Sequence, residues 1–157
     1  MRWPRAALSN GKGPNGDRMT VYYEDLTIGQ SASTEHTVTE RDIQLFGEAT
    51  GDMNPVHFDE EYAKKTLFRG RVAHGVLSIG FMSAVLGNQL PGAGSIFVSA
   101  TTKFHAPVRI GDHVITTCTV KEIRDRRQVV MACTCTVGGQ VVVEGEALVM
   151  APKKRAG

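Results

Sequence analysis

The central piece of this chain is AHGVLSIGFMSAVLGNQLPG, residues 73–92, which contains no charged residue and includes the longest apolar run, GVLSIGFMSAVLG (75–87). Its apolar side chains would project from every side of a helix of several turns, and a helix of that kind is normally enclosed by the rest of the protein. Small residues recur at helical spacing, where a backbone, a substrate or a partner could approach closely: Gly80, Ser83, Ala84 and Gly87. The sequence therefore predicts one buried central helix, ended by Pro91 and Gly92.

The pattern changes to period two after this helix. Runs rich in β-branched residues follow one another: IFVSATTKFHAPV (96–108), DHVITTCTVKEI (112–123), QVVMACTCTV (128–137) and QVVVEGEALVM (140–150). Short turn-like segments separate them, so consecutive strands should pair antiparallel. SASTEHTVTE (31–40) predicts a further strand near the start. One apolar helix must be covered, and a sheet has an apolar face to cover it. We therefore expect an α+β fold, with an antiparallel sheet wrapped around one central buried helix.

Two shorter helices are predicted between the first strand and the apolar helix. TERDIQLFGEATG (39–51) begins with a capping-box-like pair, Thr39 and Asp42, and ends at Gly51. DEEYAKKTL (59–67) begins with Asp59 as its N-cap. The polar loop that joins them places Asp52, Asn54 and His57 around a proline. Such a loop is either an ordinary capped turn or a site.

The chain of 157 residues is long enough to bury one substantial core. We expect a single domain at 19–151, between a mobile N-terminal extension (1–18) and a basic C-terminal tail (152–157). Each of these segments carries a formal charge of +3, so the net +2 of the chain leaves −4 for the domain. A body with that charge is not the basic surface that nucleic-acid binding requires.

Other classes of protein are disfavoured by composition. No apolar run reaches the length of a membrane span, and the first residues lack the continuous apolar segment of a secretory signal. Cys118, Cys133 and Cys135 show neither a CxxC pair nor the spacing of a zinc site. We expect reduced, partly buried cysteines in a cytoplasmic protein that binds neither membrane nor nucleic acid.

Three segments together resemble a known family: ATGDMNPVHFDEEYA (49–63), HGVLSIGFMSAVLGNQLPG (74–92) and GSIFVSATTKFHAPVRIGD (94–112). They are similar to the R-specific enoyl-CoA hydratases, a MaoC-like family with the hotdog fold. The resemblance extends over roughly residues 20–151. Its motif, G-D-x-N-P-x-H, is complete from Gly51 to His57, and a downstream H-G dipeptide is matched by His74 and Gly75. The resemblance implies hydration of a trans-2-enoyl thioester to an (R)-3-hydroxyacyl thioester, and the reverse dehydration.

This chemistry needs a water activated for attack at C3, a proton for C2, and stabilisation of charge on the thioester oxygen. Asp52 offers a carboxylate, and His57 offers a group that exchanges protons near neutral pH. By spacing alone, Asp52 could equally be a turn residue and His57 a cap of the next helix. The complete motif favours a catalytic pair. The backbone N–H of Gly75, at the start of the buried helix, could bind the thioester oxygen, and the resemblance implies this oxyanion role.

The remaining polar residues have weaker assignments. Asn54 either orients the loop or is simply a turn residue before proline. Ser83 corresponds to a serine that lines the site in the family, which implies a supporting hydrogen bond. His74 is interpreted as a structural histidine at a helix start. The other histidines have no carboxylate partner nearby in the sequence and are also left as structural: His36, His105 and His113.

No cofactor or metal is required by this reaction, and the sequence shows neither a GxGxxG nor a Walker motif. Coenzyme A would enter as part of the substrate. Its phosphates would seek surface cations, for which the candidates are Arg69, Arg71, Lys103 and Arg109. A single sheet around one helix leaves an edge strand and apolar surface exposed, so we expect at least a homodimer.

Several alternative functions stay open on the sequence. A dehydratase for carrier-protein-bound or branched dicarboxylic acyl-CoA substrates would use the same loop. A hotdog acyl-CoA thioesterase would use an acid without the paired N-P-x-H loop. A non-catalytic acyl-CoA-binding subunit would be expected to lack the Asp or the His, and this chain has both.

Overall fold

The computed structural model describes residues 19–155, so the predicted N-terminal extension (1–18) lies outside the described residues. A 3-10 turn at Tyr23–Asp25 precedes the main elements. In chain order these are β1 (Ser31–Thr37), α1 (Glu40–Thr50), α2 (Pro55–Phe58), α3 (Glu60–Ala63), α4 (Gly75–Asn88), β2 (Ile96–Phe104), β3 (His113–Ile123), β4 (Gln128–Val137) and β5 (Gln140–Met150). Among residues 19–155, no helix combines the length and the apolar character that crossing a bilayer requires.

The strands form one antiparallel sheet in the order β1-β3-β4-β5-β2. The predicted tight turns join β3 to β4 and β4 to β5, where Gly138 and Gly139 have positive φ values of 57° and 80°. The expected continuous meander is wrong at one connection. β2 pairs with β5 at the far edge of the sheet and not with β3, which follows it in the chain. The connecting segment passes alongside the loop before α4, where Ala73 N–H donates to the Val108 carbonyl at 2.7 Å.

The central helix α4 packs against β1, β2, β3 and β4 on one face of this sheet, so the predicted arrangement of a sheet around one helix is confirmed. Its closed face, which we define as Ser78, Met82, Val85 and Leu86, is buried. Burying a side chain such as Met82 or Leu86 stabilises the fold by about 1.5–3 kcal/mol. The core continues into the sheet through Cys118, Met131, Val149 and their neighbours.

Within a single chain, α4 is buried on one side only. Its open face, which we define as Val76, Gly80, Ser83, Ala84 and Gly87, is exposed, and Val76 retains 56% of its accessible surface. The sheet curves around one side of the helix only. The stripe of small residues singled out in the sequence therefore lies on the uncovered side.

The helix caps follow the sequence closely. Thr39 Oγ1 accepts from Asp42 N–H at 3.2 Å, Asp42 Oδ2 accepts from Thr39 N–H at 2.7 Å, and Gly51 ends α1 with a φ of 77°. Asp59 caps α3 by accepting from Tyr62 N–H at 3.0 Å, although this helix ends at Ala63 and not at residue 67.

The three cysteines are more deeply buried than the sequence predicted. Cys118, Cys133 and Cys135 are free thiols and fully buried, on the face of the sheet that covers α4. Burial raises the pKa of the Cys135 thiol, so this group stays protonated and neutral in the core.

Candidate active site

The polar loop after α1 is more ordered than a plain turn. Asp52 Oδ1 accepts from Asn54 N–H at 3.3 Å, and Asn54 Oδ1 then accepts from Val56 N–H at 3.2 Å. The second bond makes Asn54 the N-cap of α2, and Pro55 occupies the first helical position, where its missing N–H costs nothing. This single helical turn carries His57 inward while Asp52 stays exposed.

The structure brings Asp52, His57 and His74 together. One nitrogen or carboxylate oxygen from each lies within 4.8 Å of the other two. His57 is 9% exposed and His74 is 2% exposed, whereas Asp52 faces solvent. The carboxylate and the imidazole predicted to work together are therefore neighbours, at the boundary between solvent and core.

The hydrogen bonding of His57 sets its tautomer. Nδ1 lies 2.8 Å from the backbone oxygen of Val72. A carbonyl oxygen can only accept, so Nδ1 carries the hydrogen and Nε2 of the neutral ring keeps its lone pair. Burial lowers the pKa of His57, opposed by smaller effects of the Val72 bond and of the Asp52 charge. His57 is consequently neutral at neutral pH and able to accept a proton at Nε2.

His74 supports both members of this pair. Its Nε2 donates to the backbone oxygen of Asp52 at 2.9 Å, and its ring stacks on that of His57 with centroids 3.9 Å apart. Its Nδ1 is buried without a hydrogen-bond partner in the part of the chain that the structure describes. The sequence interpretation of an ordinary helix-start histidine missed these contacts. Its position directly before Gly75, the proposed oxyanion residue, was the feature of the sequence that could have indicated a place in the site.

A cavity of about 460 Å³ opens beside this group. His57 and Gly75 line it together with apolar side chains, among them Phe68, Val72, Phe104 and Val143. Gly75 is the first residue of α4, so its N–H has no partner one turn earlier in the helix. Phe104 packs directly on it, because a Cβ built on Gly75 would lie 3.0 Å from the Phe104 ring. An acyl chain could occupy this cavity with its polar end near His57 and Gly75.

The single chain does not bring Ser83 to the cavity, so its supporting role stays a prediction. Ser83 lies on the open face of α4 and is exposed, whereas Ser78 is 2% exposed and lines the cavity. Residues three apart on a helix share a face, so Ser78 lies on the side of Gly75. Ser83 lies five positions after Ser78, which at 3.6 residues per turn is about 140° around the helix. Counting helical spacing from Gly75 would have identified Ser78.

The four cationic side chains predicted to contact the phosphates of coenzyme A lie in different surroundings. The side chains of Arg71 and Arg109 are engaged within the protein, Arg71 with Glu40 and Arg109 with the carbonyls of Phe68 and Arg71. Lys103 precedes Phe104 on β2 and lies beside a shallow depression on the other face of the sheet, because strand residues alternate between faces. Arg69 is exposed next to Phe68, a cavity residue, and stays a prediction.

The other histidines, left as structural on the sequence, do have carboxylate partners in the folded chain. His36 pairs with Asp42 at 2.9 Å, His105 with Glu144 at 2.9 Å, and His113 with Glu35 at 3.1 Å. His105 directly follows β2 and meets Glu144 of β5, and His113 of β3 meets Glu35 of β1; separation along the sequence does not reveal either contact. His105 also lines the cavity.

The same three residues, Asp52, His57 and His74, are of the types that bind transition metals. The two rings, however, stack with an interplanar angle of 33°. Nitrogen lone pairs lie in the ring plane, so a shared metal would require the rings to move apart. The arrangement is better suited to proton transfer than to coordination.

Comparison with known proteins places these features in a family. Residues 25–140 match the MaoC like domain. The chain is 51% identical to an (R)-specific enoyl-CoA hydratase of Rhodospirillum rubrum over 139 residues, covering 88% of this chain and 96% of the relative. It is 47% identical to a 3-hydroxybutyryl-CoA dehydratase of Methylorubrum extorquens, covering 85% and 86%.

A solved structure agrees with these relatives. An unliganded R-hydratase from Pseudomonas aeruginosa superposes with a TM-score of 0.81 at 40% identity, covering 86% of this chain and 88% of that one. The family motif, the sheet around α4 and the shared cavity of His57 and Gly75 agree with this likeness. The chain belongs to the MaoC-like dehydratase family.

Proposed function

We propose that this protein is an R-specific enoyl-CoA hydratase, a hydro-lyase that adds water to trans-2-enoyl-CoA to give (R)-3-hydroxyacyl-CoA, and that also catalyses the reverse dehydration. The observation that carries the proposal is the meeting of Asp52 and His57 beside the cavity where α4 begins. The names of the two bacterial relatives support the same reaction.

In the proposed mechanism, a water molecule is held between Asp52 and His57. The water oxygen forms a bond with C3 as one of its O–H bonds breaks, and the released proton is received by the pair and delivered to C2. The neutral imidazole of His57 can take that proton at Nε2, since Nδ1–H stays on the Val72 carbonyl. The carboxylate of Asp52 then stabilises the imidazolium, or accepts a hydrogen bond from the second O–H of the water, which stays intact as the 3-hydroxyl group.

Negative charge develops on the thioester oxygen as water adds. The N–H of Gly75 is proposed to bind this oxygen, because it begins a helix of 14 residues whose dipole favours negative charge there. Asn54 is proposed to support the site by capping α2 and so holding the turn that carries His57. Coenzyme A takes part only as a portion of the substrate, with Arg69 as a candidate contact for its phosphates.

A homodimer is proposed on the surfaces that the chain leaves uncovered. β2 is an edge strand, and it exposes Ile96, Phe97, Val98 and Phe104. The open face of α4 adds a second uncovered apolar surface. A second copy could pair with the free edge of β2 and cover these residues. Light scattering after size-exclusion chromatography tests this proposal, and a stable monomer would contradict it.

The decisive test of the function is made on the two proposed catalytic residues. Asp52→Asn and His57→Ala should each reduce hydration of crotonyl-CoA by about a hundredfold or more, because general acid–base catalysis typically contributes that much. Circular dichroism should show both variants folded. Normal rates in either variant would refute this mechanism. Release of free thiol in place of hydration would identify a thioesterase, and activity only on carrier-protein substrates would identify that alternative.

A further inference from the structure

The segment that fixes the orientation of His57 is a loop between α3 and α4. We define it as the clamped loop, residues 68–72. Its last residue, Val72, supplies the carbonyl that receives His57 Nδ1–H, and its N–H donates in turn to the Val56 carbonyl at 3.3 Å. Phe68 and Val72 also line the cavity. Any movement of this loop would therefore rotate the His57 ring or break the hydrogen bond between its Nδ1–H and the Val72 carbonyl.

Arg71 connects the clamped loop to the backbone of His57. Its Nε donates to the His57 carbonyl at 2.7 Å, so the residue next to Val72 holds the other end of the same histidine. Its two terminal nitrogens donate to the two carboxylate oxygens of Glu40 at 3.0 and 2.7 Å. Glu40 is the first residue of α1. The planar guanidinium thus contacts His57 and α1 in one fixed geometry, which an ammonium group could not reproduce.

The backbone of the clamped loop is held from two further directions. Arg109 donates to the Phe68 carbonyl at 2.6 Å and to the Arg71 carbonyl at 3.1 Å. Glu60, from α3, accepts from the N–H of Arg71 at 3.1 Å. The N–H, the carbonyl and the side chain of Arg71 are therefore all bonded within the protein. Two arginines that the sequence suggested for coenzyme A are instead used to hold this loop.

We propose that Arg71, oriented by Glu40, is a positioning residue for His57. It fixes the backbone at both ends of the His57–Val72 hydrogen bond, which keeps the hydrogen on Nδ1 and leaves Nε2 available for the water. The kinetic part of this inference rests on the proposed hydratase function, whereas the structural part concerns the His57 ring alone.

A purely stabilising role explains the arrangement less well. The Arg71 side chain is 19% exposed and that of Glu40 is 48% exposed. An ion pair with one partner this open contributes little to folding stability. The bond from Nε to the His57 carbonyl, by contrast, acts on a residue of the site, where small displacements have large kinetic effects.

The test compares Arg71→Lys, Arg71→Gln and Glu40→Gln with a matched control pair. The control is Arg124→Lys with Glu122→Gln, because Arg124 and Glu122 form a similar two-bond pair, at 2.9 and 2.9 Å, on the exposed end of β3. The Arg71 variants should lower kcat for crotonyl-CoA by about ten- to a hundredfold, as expected for a displaced catalytic group, with little change in KM. The control variants should retain the kcat of the unmodified protein.

A second readout follows the His57 ring without any substrate. In the unmodified protein, the Nδ1–H of His57 should give a slowly exchanging signal in nitrogen-edited NMR, assigned by its loss in His57→Ala. This proton should exchange faster with water in Arg71→Lys and Glu40→Gln, but not in Arg124→Lys. Unchanged exchange together with unchanged kcat would overturn the inference.

The two readouts separate this inference from the proposed function. If the protein does not hydrate enoyl-CoA but His57 Nδ1–H depends on Arg71, then the hydratase proposal fails and the positioning role stands. If the protein is an active hydratase and neither readout responds to Arg71, only the positioning role fails. Should Arg71→Gln not fold, Glu40→Gln decides the question, since it removes the charge and one of the two acceptors of Arg71 while keeping the size of the side chain.

Discussion

The two faces of α4 contain similar small and apolar residues but have different surroundings. The closed face packs on the sheet, and Leu86 retains only 1% of its accessible surface. The open face is exposed along its length, with Val76 at 56%. Gly75 and Ser78, at the start of the helix, line the cavity. One side of the helix thus belongs to both the core and the site, while the other is free for a partner.

The difference between the two faces shows that the hydropathy of a helix does not predict which of its sides the same chain will cover. An apolar helix without a charged face must be covered, but its sequence does not say which side the same chain covers. The five-stranded sheet settles that question for the closed face only. Substitutions on the two faces should therefore have unequal effects on stability and on catalysis.

The largest expected effect is on the stability contributed by the closed face. Leu86→Ala should lower the free energy of unfolding by about 2–5 kcal/mol, because it removes buried methyl groups and leaves a cavity. Ala84→Ser, two residues away on the open face, should change it by less than about 0.5 kcal/mol. Urea unfolding at one fixed protein concentration measures both. Equal losses would mean that the open face is as enclosed as the closed one.

The next effect concerns the first residue of the helix. Gly75→Pro removes the N–H proposed to bind the thioester oxygen, and it suits this place because proline is favoured at the first helical position. His74, with φ −57° and ψ 125°, already has the extended backbone that precedes a proline. Relative to Gly75→Ala, the proline variant should lose about a hundredfold in kcat for crotonyl-CoA.

Gly75→Ala is the matched control for that loss. It adds the same Cβ, which must displace the Phe104 ring from 3.0 Å, but it keeps the N–H. Any loss common to both variants reports crowding at Phe104. If the two variants have equal kcat, Gly75 contributes no hydrogen bond to the reaction.

The parts predicted well from sequence depend on residues close together in the chain. The capping box of Thr39 and Asp42, the left-handed Gly51 and the N-cap Asp59 each involve positions within three or four residues. The neighbouring positions of Asp52 and His57 follow from the same local geometry, once Asn54 and Pro55 begin a helical turn.

The features that sequence reasoning missed depend on distant contacts. The Arg71 pair with Glu40 spans 31 positions, and the bond from Arg109 to Phe68 spans 41. Hydrogen bonds of this kind are set by the whole fold, so the arginines looked like free surface cations. The pairing of β2 with β5 is missed for the same reason. Ser78 differs, because its helical spacing from Gly75 was visible in the sequence.

A smaller effect should separate the two serines of α4. Ser78→Ala removes a buried hydroxyl from the cavity wall, so we expect kcat/KM for crotonyl-CoA to fall by several-fold, the equivalent of about 1 kcal/mol for one hydrogen bond. Ser83→Ala, on the open face, should leave kcat/KM within twofold if one chain forms the whole site. A larger loss in Ser83→Ala than in Ser78→Ala would indicate that a second copy brings the open face to the substrate.

The smallest expected effect is the pH dependence that His57 gives to kcat/KM and to the stability of the fold. Burial lowers the pKa of His57 below its ordinary value of 6.5, and the nearby Asp52 charge partly opposes this. The rate should therefore fall only as the pH drops through this lowered pKa, so the acidic limb of kcat/KM lies below pH 6.5. The unfolded chain binds the proton more readily than the folded one.

Stability must follow the same pKa difference. Between the lowered pKa and 6.5 the unfolded state holds more protons, so the contribution of His57 to folding is present above pH 6.5 and decreases as the pH falls below it. NMR titration of the His57 ring measures this pKa directly. Asp52→Asn should lower it further, because the variant removes the charge that favours the imidazolium. A pKa above 6.5 would mean that burial does not dominate the surroundings of the His57 ring, and a pKa that rises in Asp52→Asn would mean that the Asp52 charge does not favour the imidazolium; either result would contradict the expected position of the acidic limb.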